Sequence, residues 1–87
     1  MWSKQATEWI ASKKARSVAQ WLDDEATKLA WNPHPPGMKR IADPALQWSE
    51  GLTYRIRAGN YRIIYADVSF KGYLVIVRVM SRDEVYD

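Results

Sequence analysis

The sequence predicts an α+β domain, a helical hairpin packed on a small antiparallel sheet, and three features point to it. Apolar residues fall at helical spacing early in the chain, and a proline- and glycine-rich break follows. The second half then carries three runs rich in β-branched and aromatic residues, separated by turn sequences. The 87 residues, 47% apolar and 13% aromatic, support one domain over residues 1–87 with a small core of its own.

Residues 3–12 form the first expected helix, with Ala6, Trp9 and Ile10 on one stripe. Ser3 is its expected N-cap, because a serine hydroxyl there accepts from an otherwise unpaired backbone N–H. Residues 15–31 form the second helix: Val18, Leu22, Ala26 and Leu29 follow the i, i+4, i+8, i+11 pattern, and Asp24 with Lys28 supplies an ion pair on its outer side. Asn32-Pro33-His34-Pro35-Pro36-Gly37 stops it, since proline cannot continue a helix. A brief extended piece at 38–41 and a looser stretch through Trp48 and Gly51 come next. Strands are expected at 52–58, 61–68 and 73–80, with turns at Ala58-Gly59-Asn60 and Ser69-Phe70-Lys71-Gly72. In the last strand Tyr73, Val75, Val77 and Val79 alternate with Leu74, Ile76, Arg78 and Met80, so both faces are apolar and both should be covered. The polar ending, 81–87, is expected to lie across the sheet.

Composition excludes several classes. Without cysteine there is neither a disulfide scaffold nor a thiolate metal site, which fits a reducing cytoplasm, and no metal or cofactor is expected. No apolar run approaches the roughly 20 residues of a membrane helix, so no membrane partner is expected. The net charge of +3 is modest, but between residues 52 and 82 Arg55, Arg57, Arg62, Lys71, Arg78 and Arg82 stand against Asp67 alone. Positive charge concentrated in strands suits a polyanion.

Strand alternation puts Arg55 and Arg57 on one face, roughly 7 Å apart, and Tyr54 and Ile56 on the other. Arg62 joins the arginine face if the hairpin register allows. From pattern alone the same arginines fit equally a solvated sheet face. Arg78, on an apolar strand, is expected to pair with Asp67 or Glu84 and is left out of the site. Lys39 and Arg40 are candidate contacts to an RNA backbone. His34, between prolines, is expected to be functionally silent. Trp9 and Trp21 belong to helix faces, whereas Trp31 or Trp48 could anchor a partner helix.

The string TYRIRAGNYRIIYAD, the apolar strand after it, the ending SRDEVY and the upstream NPHPPGMKRI together resemble the RelE/ParE superfamily of bacterial toxins from type II toxin–antitoxin pairs. The resemblance covers nearly the whole chain. It implies a RelE-like, microbial RNase-like fold that cleaves messenger RNA in the ribosomal A site without metal. In that reaction a ribose 2′-hydroxyl attacks the adjacent phosphate, leaving a 2′,3′-cyclic phosphate and a free 5′-hydroxyl. Arg55 and Arg57 fall on the paired basic strand positions, Arg62 on the arginine after the turn, and Arg82 and Tyr86 on the terminal pair. By this resemblance Arg55 and Arg62 stabilise the phosphorane, Arg82 protonates the leaving oxygen, and Tyr86 stacks on a base or orients the bent backbone. The implied partners are the ribosome, its mRNA and a cognate antitoxin that wraps the toxin in a hetero-oligomer and can carry it to operator DNA.

Two departures stand out. Relatives often carry a lysine base where this chain has Arg57, and arginine, with a pKa above about 12, is a poor base. Relatives also begin with a strand before the first helix, whereas only Met1 and Trp2 precede Ser3, so that strand is expected to be missing or reduced. A ParE-like toxin that inhibits DNA gyrase without cleaving RNA, and a catalytically weak nucleic-acid-binding relative, are the alternatives.

Overall fold

The computed structural model describes residues 1–12 and 18–81. Helices α1 (Lys4–Ala11) and α2 (Ala19–Trp31) precede strands β1 (Lys39–Arg40), β2 (Leu52–Ala58), β3 (Tyr61–Val68) and β4 (Tyr73–Ser81). The strands form one antiparallel sheet in the order β1-β2-β3-β4. This is the expected α+β arrangement, with strand limits close to those read from alternation. The expected start of the second helix at residue 15 lies outside the described residues, as do Arg82 and Tyr86.

Both helices cover the same face of the sheet. Ala6, Leu22, Ala26 and Leu29 pack there against Ala58, Ile63, Tyr65, Leu74, Ile76 and Val79. Burying a side chain such as Leu22 or Ile63, each almost wholly removed from water, contributes roughly 1.5–3 kcal/mol. Among the described residues, the opposite face is covered only in part. Ile41, Leu46 and Trp48, from the loop between β1 and β2, close over Ile64, Ala66, Val68, Val75 and Val77. Trp48 is therefore packing, while Trp31, 87% exposed, stands free of the core. Gly51 (φ +76°) lets this loop press against β3, since a Cβ there would overlap the Asp67 carbonyl.

Ser3 joins the N-terminal stub to the sheet. Its Oγ accepts from Ala6 N–H (3.1 Å) as the N-cap of α1, and its hydroxyl donates to the Val77 carbonyl. Ser3 N–H donates to Ile76 O (2.8 Å), Ile76 N–H donates to Met1 O (2.7 Å), and Trp2 forms a parallel bridge to Ile76. The segment before α1 is thus joined to β4 by one parallel bridge and the two bonds that flank it. At the hairpin tip, Tyr61 lies between Trp9 (centroids 5.7 Å) and Trp21 (6.2 Å), which pins the turn to both helices. Gly59 takes φ +60° at the first turn position and Asn60 does not have positive φ, the pattern of a type II′ turn.

Two sequence-based pairings differ in the structure. Lys28 bonds Glu25 (3.3 Å), one position nearer than expected, and Asp24 accepts from Gln20 Nε2 (3.1 Å). Asp67 does not meet Arg78. It lies opposite Leu74, toward the helix-side core, where its carboxylate accepts from His34 Nε2 (3.0 Å) and from Ser69 N–H (3.0 Å).

Candidate functional site

The part of the sheet left open by the 41–50 loop carries the arginines. Arg57 and Arg62 are direct Cα partners, so Arg62 shares the face of Arg55 and Arg57. The two-residue turn makes Ala58 and Tyr61 a hydrogen-bonded pair, hence Arg57 and Arg62 a non-hydrogen-bonded one, in which the side chains come closest, with Cα atoms about 4.5 Å apart. Like charges placed directly opposite repel each other across a strand pair.

Register adds two cations to the face. Lys39 lies opposite Arg55, Arg55 opposite Ile64, and Ile64 opposite Arg78, which makes one transverse row. Arg57, Arg62 and Met80 make the next row, about 7 Å away along the strands. Arg78 arrives there through a β-bulge. Tyr65 pairs with Ile76 but Ile64 with Arg78, so Val77 is the extra residue and the alternation of β4 slips by one. Without the slip Arg78 would enter the helix-side core. Nothing in the sequence of β4, apolar on both faces, marks that slip, which is why strand alternation alone misplaces Arg78.

Arg40 separates from Lys39. It pairs with Tyr54, whose ring belongs to the helix-side core, so the two expected RNA contacts fall on different faces. Arg82 and Tyr86 are outside the described residues. Ser81, at the end of β4, pairs with Tyr61, which places the exit of the chain at the hairpin end, beside the row of Arg57 and Arg62. Among the described residues no three His, Asp or Glu side chains gather as a metal site, and no helix is long and apolar enough to cross a membrane.

The other end of the sheet holds its charges in local pairs. Glu50 accepts from Lys71 Nζ (2.8 Å) and from the Tyr73 hydroxyl (2.9 Å), and those two bonds hold its carboxyl below the usual carboxylate range. The same contact raises Lys71 and Tyr73 above their ordinary values. Lys71 is thereby committed away from the arginine face. Tyr65 donates to the Pro33 carbonyl (2.7 Å), and burial, then the charge of Asp67 and the neighbouring Tyr54, push its phenol up to about 12. His34, edge-on to Tyr54 (6.0 Å) and bonded to Asp67, fastens the same proline loop to β3. These contacts fix the approach of β1, and therefore of Lys39, to β2.

Two helices packed on one face of a four-stranded antiparallel sheet are consistent with a RelE/ParE-like fold. A family model, described as the ParE toxin of the type II toxin–antitoxin system parDE, matches residues 1–86. The chain belongs to that family, and is accordingly a toxin whose partner is a cognate antitoxin. Neither a curated protein nor a solved structure matches it.

Proposed function

We propose that this toxin is a ribosome-dependent endoribonuclease that cleaves mRNA in the A site, with the arginine half-face as its active surface. The observation that carries the reading is the direct opposition of Arg57 and Arg62, with Arg55 on the same face. Such a cluster of forked cationic donors suits a dianionic transition state. The 2′-oxygen attacks phosphorus, the P–O5′ bond breaks, and the products are a 2′,3′-cyclic phosphate and a 5′-hydroxyl. Arg55 and Arg62 hold the phosphorane oxygens as planar forks. Arg57 polarises the attacking hydroxyl, Arg82 protonates the leaving oxygen, and Tyr86 stacks on a flanking base. Lys39, on the arginine face, contacts the RNA, whereas Arg40 lies on the other side of the sheet, and the ribosome supplies much of the substrate geometry.

A second reading, poisoning of DNA gyrase without catalysis, is favoured by the family's description as a ParE toxin and by an arginine at position 57. One experiment separates the two. Purified toxin is added to programmed ribosomes and mRNA cut sites are mapped for the parent and for Arg62→Ala, with gyrase supercoiling assayed in parallel. Loss of one preorganised donor lowers cleavage roughly 10²–10³-fold. No cleavage by the parent, or cleavage indifferent to Arg62→Ala, overturns the nuclease reading, and gyrase inhibition then promotes the second.

A further inference from the structure

The arginine face offers charge but needs a group that can accept a proton, and register brings one to it. We infer that Lys39 is the general base of the proposed cleavage, an assignment that rests on the nuclease reading above. Lys39 is Arg55's direct partner across β1 and β2, so it lies on the arginine side of the sheet rather than with Arg40 on the helix side. Directly opposed residues stand about 4.5–5.5 Å apart, and a lysine amine travels on a flexible four-carbon stem, whereas each guanidinium is a rigid fork. Lys39 is exposed on an edge strand, with room to approach a strand of RNA lying over the arginines.

Among the described residues, the groups on this face are Lys39, Arg55, Arg57, Arg62 and Arg78, with Ile64 and Met80 between them. The arginines keep their protons at every working pH, which leaves Lys39 as the side chain of this set able to exchange one. Asp43, an acid close in sequence, is turned to the adjacent loop, where its carboxylate accepts from Ala45 N–H (3.0 Å). In the reaction the neutral Nζ takes the 2′-hydroxyl proton and becomes an ammonium, while the O–H electron pair forms the new O2′–P bond. The P–O5′ pair leaves with the 5′-oxygen, which is protonated by the acid of the proposed reaction. Lys39 then returns its proton to solvent.

The chain contains no cysteine, which permits a decisive test. Lys39→Arg keeps the charge and removes the base, and Lys39→Cys alkylated with 2-bromoethylamine restores an amine of lower pKa at one position. With programmed ribosomes, Lys39→Arg is expected to cut at the parental sites with kcat reduced about 10²–10⁴-fold and KM little changed. The alkylated protein should recover cleavage, with its pH–rate profile moved to lower pH. Melting curves of each variant establish that it is folded. A Lys39→Arg protein with parental kcat, or one altered only in KM, overturns the inference and leaves the nuclease reading intact, as does an alkylated variant with an unmoved profile. A parent that fails to cut overturns both.

Discussion

Replacing Thr53 by valine should stabilise the protein. Thr53 is fully buried in β2, and its Oγ1 has no hydrogen-bond partner although its backbone carbonyl accepts from Ile41 N–H (2.9 Å). A buried hydroxyl left unpaired costs about 1–3 kcal/mol relative to the hydrated group in the unfolded chain. Valine has nearly the same shape and equal liking for a strand, so it opens no cavity and keeps the pairing with Ala66. The net gain should be about 1–2 kcal/mol, and at about 4–8 °C per kcal/mol for a domain of this size Tm should rise by at least about 4 °C. Thr53→Ser provides the opposite control. It keeps the unpaired hydroxyl and deletes a buried methyl, a loss of roughly 1 kcal/mol and a lower Tm. Thermal melts by circular dichroism and urea titrations with an unchanged m-value give the order valine, threonine, serine. A valine variant that melts at or below the parent refutes the reasoning. The cleavage proposed above should not change, because the arginines are untouched.

Two further outcomes bear on charge. Arg57→Gln should raise stability by a few tenths of a kcal/mol at low salt by removing the charge opposed to Arg62, and the gain should fade in 1 M salt, where screening acts within about 3 Å. On the nuclease reading proposed above, the same variant should lose mRNA cleavage, so paired melts and cleavage assays at two ionic strengths check it. Tyr65 binds its proton more tightly folded than unfolded, so stability should be level below pH 10 and fall as pH rises toward about 12. Tyr65→Phe should flatten that alkaline fall while costing about 1 kcal/mol at neutral pH through loss of the bond to Pro33 O, as alkaline melts of both proteins would record.

Local chemistry made much of the fold legible. Ser3 caps α1 as serine does wherever its hydroxyl faces free N–H groups, and the limits of β2 and β3 follow from the Ala58-Gly59-Asn60-Tyr61 turn. The helix-side stripe of Leu22, Ala26 and Leu29 is a simple 3.6-residue period. Side-chain partners were less legible. Lys28 chose Glu25 over Asp24, and Asp67 turned to His34 rather than Arg78, since competing partners several residues or a whole strand away decide such bonds.

The candidate site divides in the same way. By itself the sequence determined that Arg55 and Arg57 share a face, because side chains on a strand must alternate whatever surrounds them. Only the tertiary structure decided that Arg62 opposes Arg57, that a bulge at Val77 turns Arg78 onto their face, and that Lys39 joins them while Arg40 does not. Each of these depends on register between strands, and a slip of one residue moves every side chain to the other side of the sheet.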